Sequence, residues 1–156
     1  MQRVCLAFLR FCLSAWVGTA IFFVMVVLEL RHSRLFDDEV KFNHPKILFP
    51  LYYGFEFALL GPALVCASVG LGNARVPAGR RWATLAFVVV AAGVAVWDYV
   101  VVYRALVAMM ATNVLPAEFV QLHQQSRWLN EAALGVSLIA VVLALWPEGD
   151  RPATRN

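Results

Sequence analysis

The sequence predicts an all-α integral membrane protein built as a four-helix bundle, and three observations lead to this fold class. The chain is 62% hydrophobic. It is 15% charged, whereas a soluble domain carries about 25% charged residues. Four apolar segments are each long enough to cross the hydrocarbon core of a bilayer, which takes about 20 helical residues. In water, so few polar residues could not cover the apolar surface of the folded chain. The chain is therefore expected to lie in lipid.

The four predicted spans cover residues 11–30, 47–71, 82–110 and 128–146. Backbone N–H and C=O groups in lipid have no water to bond, so each span is expected to be helical. Gly70, Gly72 and Pro77 interrupt the chain between the second and third spans. Residues 1–147 are therefore predicted to form the four-span transmembrane domain, and residues 148–156 a polar C-terminal tail.

The third and fourth helices are predicted to be long and to project on the outer side. The apolar pattern of the third span continues to Ala111, and Pro116 is well placed to begin the helix that leads into the fourth. At a rise of about 1.5 Å per residue, such helices exceed about 40 Å, against a hydrocarbon core of about 30 Å. The first span is longer than the apolar region of a signal peptide, so it is expected to be retained.

Lys and Arg residues indicate the orientation of the spans. The side that holds both termini and the second loop carries seven of them, and the other side carries six together with the acidic residues 37–39. This bias predicts a multipass protein of the plasma or inner membrane with both termini in the cytoplasm. Tyr52, Tyr53 and Trp128 are then expected at the outer interface, where aromatic rings are enriched.

Composition also limits the classes of partner and activity. The net charge is +3, but the longest basic run is Arg80-Arg81, so no nucleic-acid partner is expected. The bilayer is the expected partner, with a second copy or another membrane protein left open.

No P-loop, GxSxG, HExxH or dinucleotide fingerprint is present, which favours a protein that is not an enzyme. The three cysteines are interpreted as packing residues, with a soft-metal site as the alternative.

Polar residues of the spans are expected to gather in the outer half of the bundle. Charges inside a membrane segment are costly and indicate function by default. Four candidate metal ligands share this half: Glu56, Asp98, His123 and Glu131. Glu29 and Arg104 near the span ends extend this polar network, with Arg104 expected to pair with Glu131 or Glu56. The cluster is either a network that fixes helix register or a cation, proton or metal site.

A polar stripe precedes the fourth span. Its members, spaced for one face of a helix, are Phe119, His123, Ser126 and Asn130. His123 is a candidate metal or haem ligand, with Ser126 and Asn130 as donors that support it. The alternative is that the stripe hydrogen-bonds to the backbone of neighbouring helices.

Two segments, together with Trp16-x-Gly18 and the following Phe22 in the first span, resemble the transmembrane protein 205-like family, also catalogued as domain of unknown function 4149. The first is the polar stripe, whose spacing is similar to that family's signature. The second is Phe49-Pro50-x-Tyr52 at the start of the second span. The resemblance covers about residues 11–146. In the third span the chain departs from the family, because Asp98 stands near a position where the family often has Asn.

The resemblance implies a four-helix multipass membrane protein. The family's association with resistance to platinum drugs, and its distant similarity to copper-resistance D-type membrane proteins, imply handling of metal ions or cationic drugs through the polar cluster. The alternatives are a haem-binding redox protein, with His32 or His123 as axial ligand, and a non-catalytic scaffold or assembly partner. A metal ion is favoured over haem as cofactor, and neither is fixed by the residues.

Overall fold

The computed structural model describes residues 2–72, 76–111 and 116–147. The described elements are α1 (Gln2–His32), α2 (Asp38–Gly70), α3 (Ala78–Trp97), a π-helical segment (Asp98–Tyr103), α4 (Arg104–Met110) and α5 (Ala117–Leu145). From α3 to α4 the backbone runs as one continuous helix, Ala78–Met110, called the third helix below. The predicted tail, residues 148–156, lies outside the described residues.

Within these residues, four helices are long and apolar enough to cross a membrane. They confirm the predicted all-α four-helix bundle, and their length and composition are those of a multipass membrane protein. The third helix and α5 have 33 and 29 residues, as long as predicted. The first two helices are just as long, with 31 and 33 residues. The predicted spans covered only part of each of these two helices.

The extra length of α2 comes from residues that the sequence analysis had assigned to a loop. Asp37 precedes the helix, and its Oδ1 accepts a hydrogen bond of 2.8 Å from the amide of Val40. Asp38 and Glu39 occupy the first turn, where negative charge is favourable at the helix N-terminus. A helix can therefore begin in a polar segment, about nine residues before the apolar run that marked the span.

The helices form a closed ring. α1 packs against α2, α2 against the third helix, the third helix against α5, and α5 against α1. The start of α1, the end of α2, the start of α3 and the end of α5 therefore lie at the same end of the bundle, called the terminus end below. The end of α1, the start of α2, the end of α4 and the start of α5 lie at the opposite end.

Arginine side chains join the helices at the terminus end. Arg10 Nε donates to the carbonyl oxygen of Ala144 at 2.7 Å, and Arg80 Nη1 donates to that of Pro147 at 2.9 Å. Arg81 donates to the carbonyl that follows α2. The last carbonyls of a helix have no partner within it and carry partial negative charge, so cations are favourable there. These contacts tie α1 and α3 to the ends of α2 and α5.

Small residues form part of the buried core of the bundle. Ala133 and Ser137 on α5 are buried, as expected for a face where helices approach closely. Gly54 on α2 does not form a face of this kind. Gly54 is exposed, and a Cβ atom added to it would meet nothing within 4 Å.

A buried hydrogen bond joins α1 to α5, from Trp16 Nε1 to Ser137 Oγ at 3.1 Å. Both side chains are fully buried. We expect the bond to couple the two residues by about 1 kcal/mol, within the range measured between membrane helices. A double-mutant cycle of Trp16→Phe and Ser137→Ala, followed by unfolding in detergent, measures this coupling.

Ser68→Ala is the matched control for that cycle, because Ser68 is exposed and its hydroxyl bonds to its own helix at 2.9 Å. Trp16→Phe and Ser68→Ala should be additive within about 0.5 kcal/mol. Additivity of Trp16→Phe with Ser137→Ala as well would contradict the expected coupling.

Candidate functional site

The π-helical segment places a carboxylate inside the bundle. The amide of Arg104 donates to the carbonyl of Tyr99, five residues earlier, which is the hydrogen bond of a π-helix. Such turns are rare and are frequently found at functional sites. In this segment Asp98, Val102 and Tyr103 are buried, whereas Arg104 is exposed.

Asp98 is the centre of the buried polar contacts. Its Oδ2 accepts hydrogen bonds from Tyr53 Oη at 2.6 Å, Ser126 Oγ at 3.0 Å and Asn130 Nδ2 at 2.6 Å. Only 2% of Asp98 is exposed. Asp98 therefore connects α2 and α5 to the third helix through a single carboxyl oxygen.

Asn130 extends the contacts to a second tyrosine. Its Oδ1 accepts a hydrogen bond of 2.9 Å from Tyr52 Oη, while its Nδ2 also donates to the carbonyl of Ser126 at 2.9 Å. The amide thus links the Tyr52 hydroxyl to the Asp98 carboxylate. The carboxyl cluster is defined here as Tyr52, Tyr53, Glu56, Asp98, Ser126 and Asn130.

Glu56 lies on the same face of α2 as the two tyrosines, three and four residues after them. It is 0% exposed, and both of its carboxyl oxygens lack a hydrogen-bond partner among the described residues. Asp98 Oδ1 is buried without a partner in the same part of the structure. The two carboxyl groups also interact electrostatically. The cluster therefore contains buried acceptor oxygens that the described protein groups leave unsatisfied.

The cluster lies nearer the middle of the helices than the predicted outer half. Glu56 is 18 residues from the start of α2 and 14 from its end. Asn130 is 13 residues from the start of α5 and 15 from its end. The sequence-based depth assumed shorter helices, and extending α2 and α5 toward the outer side moves these residues toward the centre.

Two of the four candidate metal ligands lie outside the carboxyl cluster. His123 is exposed and stacks on Phe119, with ring centroids 6.1 Å apart. Glu131 is exposed and pairs with Arg127 at 3.4 Å. On α5 the polar stripe therefore divides, since Ser126 faces the bundle while His123 does not.

The described residues contain no group of three or more His, Cys, Asp and Glu side chains that could hold a metal ion. Of the four expected metal ligands, only Asp98 and Glu56 lie together in the cluster. Both could bind a metal only through oxygen atoms. The thiols of Cys5 and Cys66 interact with each other at the terminus end, apart from this cluster. Oxygen ligands suit hard cations, whereas copper and other soft metals prefer sulfur and imidazole.

The remaining members of the predicted polar network are also outside the cluster. Glu29 and Arg104 are exposed. Neither carboxylate expected to pair with Arg104 does so, because Glu131 pairs with Arg127 and the oxygens of Glu56 have no partner among the described groups.

The histidine expected as the other haem ligand is also remote from the cluster. His32 is exposed at the end of α1, with its Nδ1 2.8 Å from the carbonyl oxygen of Leu28.

Tyr53 is the functional residue that sequence reasoning missed. It was expected with Tyr52 at the outer interface, yet both are buried, at 1% and 5% exposure. The spacing of these tyrosines from Glu56 was the available sign, because residues three and four apart share a helix face. Among the other motif residues, the ring of Phe49 packs 5.3 Å from that of Phe23.

In comparisons with protein-family models, curated proteins and solved structures, nothing matches this chain. Function is therefore inferred from the geometry of the carboxyl cluster.

Proposed function

We propose that this multipass membrane protein binds a small cation at the carboxyl cluster. The observation that carries the proposal is the set of buried, unpartnered acceptor oxygens: Asp98 Oδ1 and both carboxyl oxygens of Glu56, within the part of the chain described. A buried acceptor without a donor costs about 1–3 kcal/mol, and a buried charge costs more. A bound cation would satisfy these oxygens.

The donor set favours a hard cation. Every side chain of the carboxyl cluster can offer oxygen, from carboxyl groups, hydroxyls or an amide. Oxygen ligands of this kind suit sodium, potassium, magnesium or calcium, and a proton on Glu56 is the simplest competitor. The earlier hypothesis of metal or cationic-drug handling is therefore narrowed to cations that carboxyl oxygens recognise.

A structural role is the second candidate, favoured by the contacts of Asp98 alone. Donors from α2 and α5 meet at its Oδ2 and hold these helices in register with the third. Such a network accounts for Asp98 but not for Glu56, whose carboxyl group contributes no hydrogen bond among the described residues. Substitution of Glu56 therefore distinguishes cation binding from a purely structural role.

The test is binding of alkali and alkaline-earth cations to the purified full chain in neutral detergent. In buffer based on N-methylglucamine, one of sodium, potassium, magnesium or calcium should raise the Tm in a saturable way. At 100 times the Kd, binding adds about 2.7 kcal/mol of stability. Glu56→Gln and Asp98→Asn should each abolish the shift, because each removes an ionisable oxygen donor and preserves shape.

Glu131→Gln is the matched control, since Glu131 is an exposed glutamate on α5. It should bind cations as the wild type does. No saturable shift with any of these cations would contradict the proposal, as would a shift that persists in both Glu56→Gln and Asp98→Asn.

We also propose that the chain belongs to the transmembrane protein 205-like family. The support is a contact between the two segments that carry the resemblance: Tyr52 Oη donates to Asn130 Oδ1 at 2.9 Å. The polar stripe and the second-span segment thus contribute to one polar cluster, as expected of motifs retained for a common purpose.

For the membrane and its orientation, we propose a plasma or inner membrane with both termini in the cytoplasm. Arg10, Arg80 and Arg81 at the terminus end support this orientation, because Lys and Arg are enriched on the cytoplasmic side.

A further inference from the structure

A cleft of about 470 Å³ opens on the side of the bundle between α2 and the third helix. This volume lies in the range of small-molecule sites, about 300–1,000 Å³. Aromatic rings line much of it: Tyr53, Phe57, Tyr99 and Tyr103. Gly54 leaves the cleft open, since a side chain at this exposed position would extend into unoccupied space.

The aromatic side chains form one continuous wall. The ring of Tyr53 lies 4.6 Å from that of Tyr103 and 5.2 Å from that of Tyr99, and Phe57 lies 5.4 Å from Tyr99. The Tyr53 hydroxyl points to Asp98, so the ring lies between the cleft and the Asp98 carboxyl group. The wall therefore offers an apolar surface to an occupant that does not reach the buried carboxylates.

Arg104 gives the cleft its charge. It lines the cleft, is exposed, and has no ion-pair partner in residues 2–72, 76–111 and 116–147. A guanidinium on a membrane helix requires an anionic partner or a position near the headgroups. Arg104 is six residues beyond Asp98 toward the end of the third helix, about 9 Å along the helix axis. A phosphate can accept two parallel hydrogen bonds from a guanidinium.

We propose that this cleft binds one membrane lipid with an anionic phosphate headgroup. The phosphate accepts hydrogen bonds from Arg104, and an acyl chain lies along the aromatic wall. The proposal is independent of cation binding at the carboxyl cluster. Charge decides the class of occupant, because the positive charge of Arg104 attracts an anion and repels an organic cation at the same place.

The test is lipid retention by the purified full chain, measured by native mass spectrometry from neutral detergent. The probes are phosphatidylglycerol, phosphatidylcholine and inorganic phosphate. One phosphatidylglycerol per chain should be retained in preference to phosphatidylcholine, and inorganic phosphate should not displace it. Arg104→Gln should weaken phosphatidylglycerol binding about tenfold, which corresponds to one lost charge-assisted hydrogen bond.

Two matched controls accompany these variants. Gly54→Leu should fill the cleft and abolish retention, whereas Gly61→Leu should not, because Gly61 is an exposed glycine of α2 outside the cleft with similar free space. Arg127→Gln, which alters an exposed arginine on α5, should bind lipid as the wild type does. Equal retention of both lipids, or undiminished retention in Gly54→Leu, would overturn the proposal. Tighter binding of tetraphenylphosphonium than of phosphatidylglycerol would also overturn it.

Discussion

Replacing Asp98 by alanine is expected to lower the free energy of unfolding of the bundle by about 3 kcal/mol. The substitution removes the acceptor for Tyr53, Ser126 and Asn130 and leaves buried donors on α2 and α5. A buried donor without a partner costs about 1–3 kcal/mol, and water cannot replace the carboxylate inside an apolar bundle. Unfolding by sodium dodecyl sulfate in mixed micelles, followed by circular dichroism, measures this loss.

Asp98→Asn is the control that separates hydrogen bonding from charge. Its carbonyl oxygen can still accept from the donors that meet Asp98 Oδ2, so it should lose only about 1 kcal/mol. The order of stability is therefore wild type, Asp98→Asn, then Asp98→Ala. Equal stability of Asp98→Ala and the wild type would show that these contacts do not hold the helices together.

Replacing Glu56 by methionine is expected to act in the opposite direction and to stabilise the bundle by about 2 kcal/mol in cation-free buffer. Glu56 is 0% exposed, and its carboxyl oxygens are without partners in the described part of the chain. Methionine has a similar length, fills the same space and needs no donor. The same unfolding titration measures the gain, and cation binding should be lost in the same variant.

Glu131→Met is the matched control, because Glu131 is an exposed glutamate with an arginine partner on its own helix. Exposed pairs of this kind contribute about 0.3–0.5 kcal/mol, so this variant should change stability little. A large loss of stability in Glu56→Met would mean that the carboxyl group holds the fold together, which would contradict its proposed role as a cation ligand.

The two substitutions are expected to change the free energy of unfolding in opposite directions, because the two carboxyl groups differ in their hydrogen-bond partners. Asp98 supplies an acceptor that other helices need, whereas Glu56 supplies oxygens that no described group satisfies. Natural proteins keep a destabilising group where it serves a function, at the expense of stability. Asp98→Ala should lose stability, whereas Glu56→Met should gain stability and lose cation binding. This result would show that Asp98 has a structural role and that Glu56 is a cation ligand within the same cluster.

The sequence was sufficient to predict the number and class of the helices. A membrane helix needs an apolar run long enough to match the thickness of the bilayer, and such runs are easily recognised in a sequence. The prediction of a four-helix bundle was based mainly on these runs. Helix ends were harder to predict, because a cap such as Asp37 can start a helix in a polar segment that hydropathy assigns to a loop. The helices therefore extend beyond the predicted spans, and Glu56 lies near the middle of α2.

The carboxyl cluster was predicted only in part. Asp98, Glu56, Ser126 and Asn130 were singled out because polar groups inside spans are costly. Hydropathy does not indicate which way a side chain faces, so His123 was grouped with residues that the fold buries. The π-helical segment at Asp98 was not predicted either, because the apolar pattern of the third span continues through it without a break.

The arginine contacts at the terminus end act as cross-links between helices. There, Arg10 and Arg80 join neighbouring helices to the end of α5. Elsewhere, Pro45, Pro50 and Pro62 lie inside α2, and the π-helical segment interrupts the hydrogen-bond pattern of the third helix. A bend at any of these positions would change the distance between Glu56 and Asp98, so the two carboxyl groups would respond to the angle between α2 and the third helix.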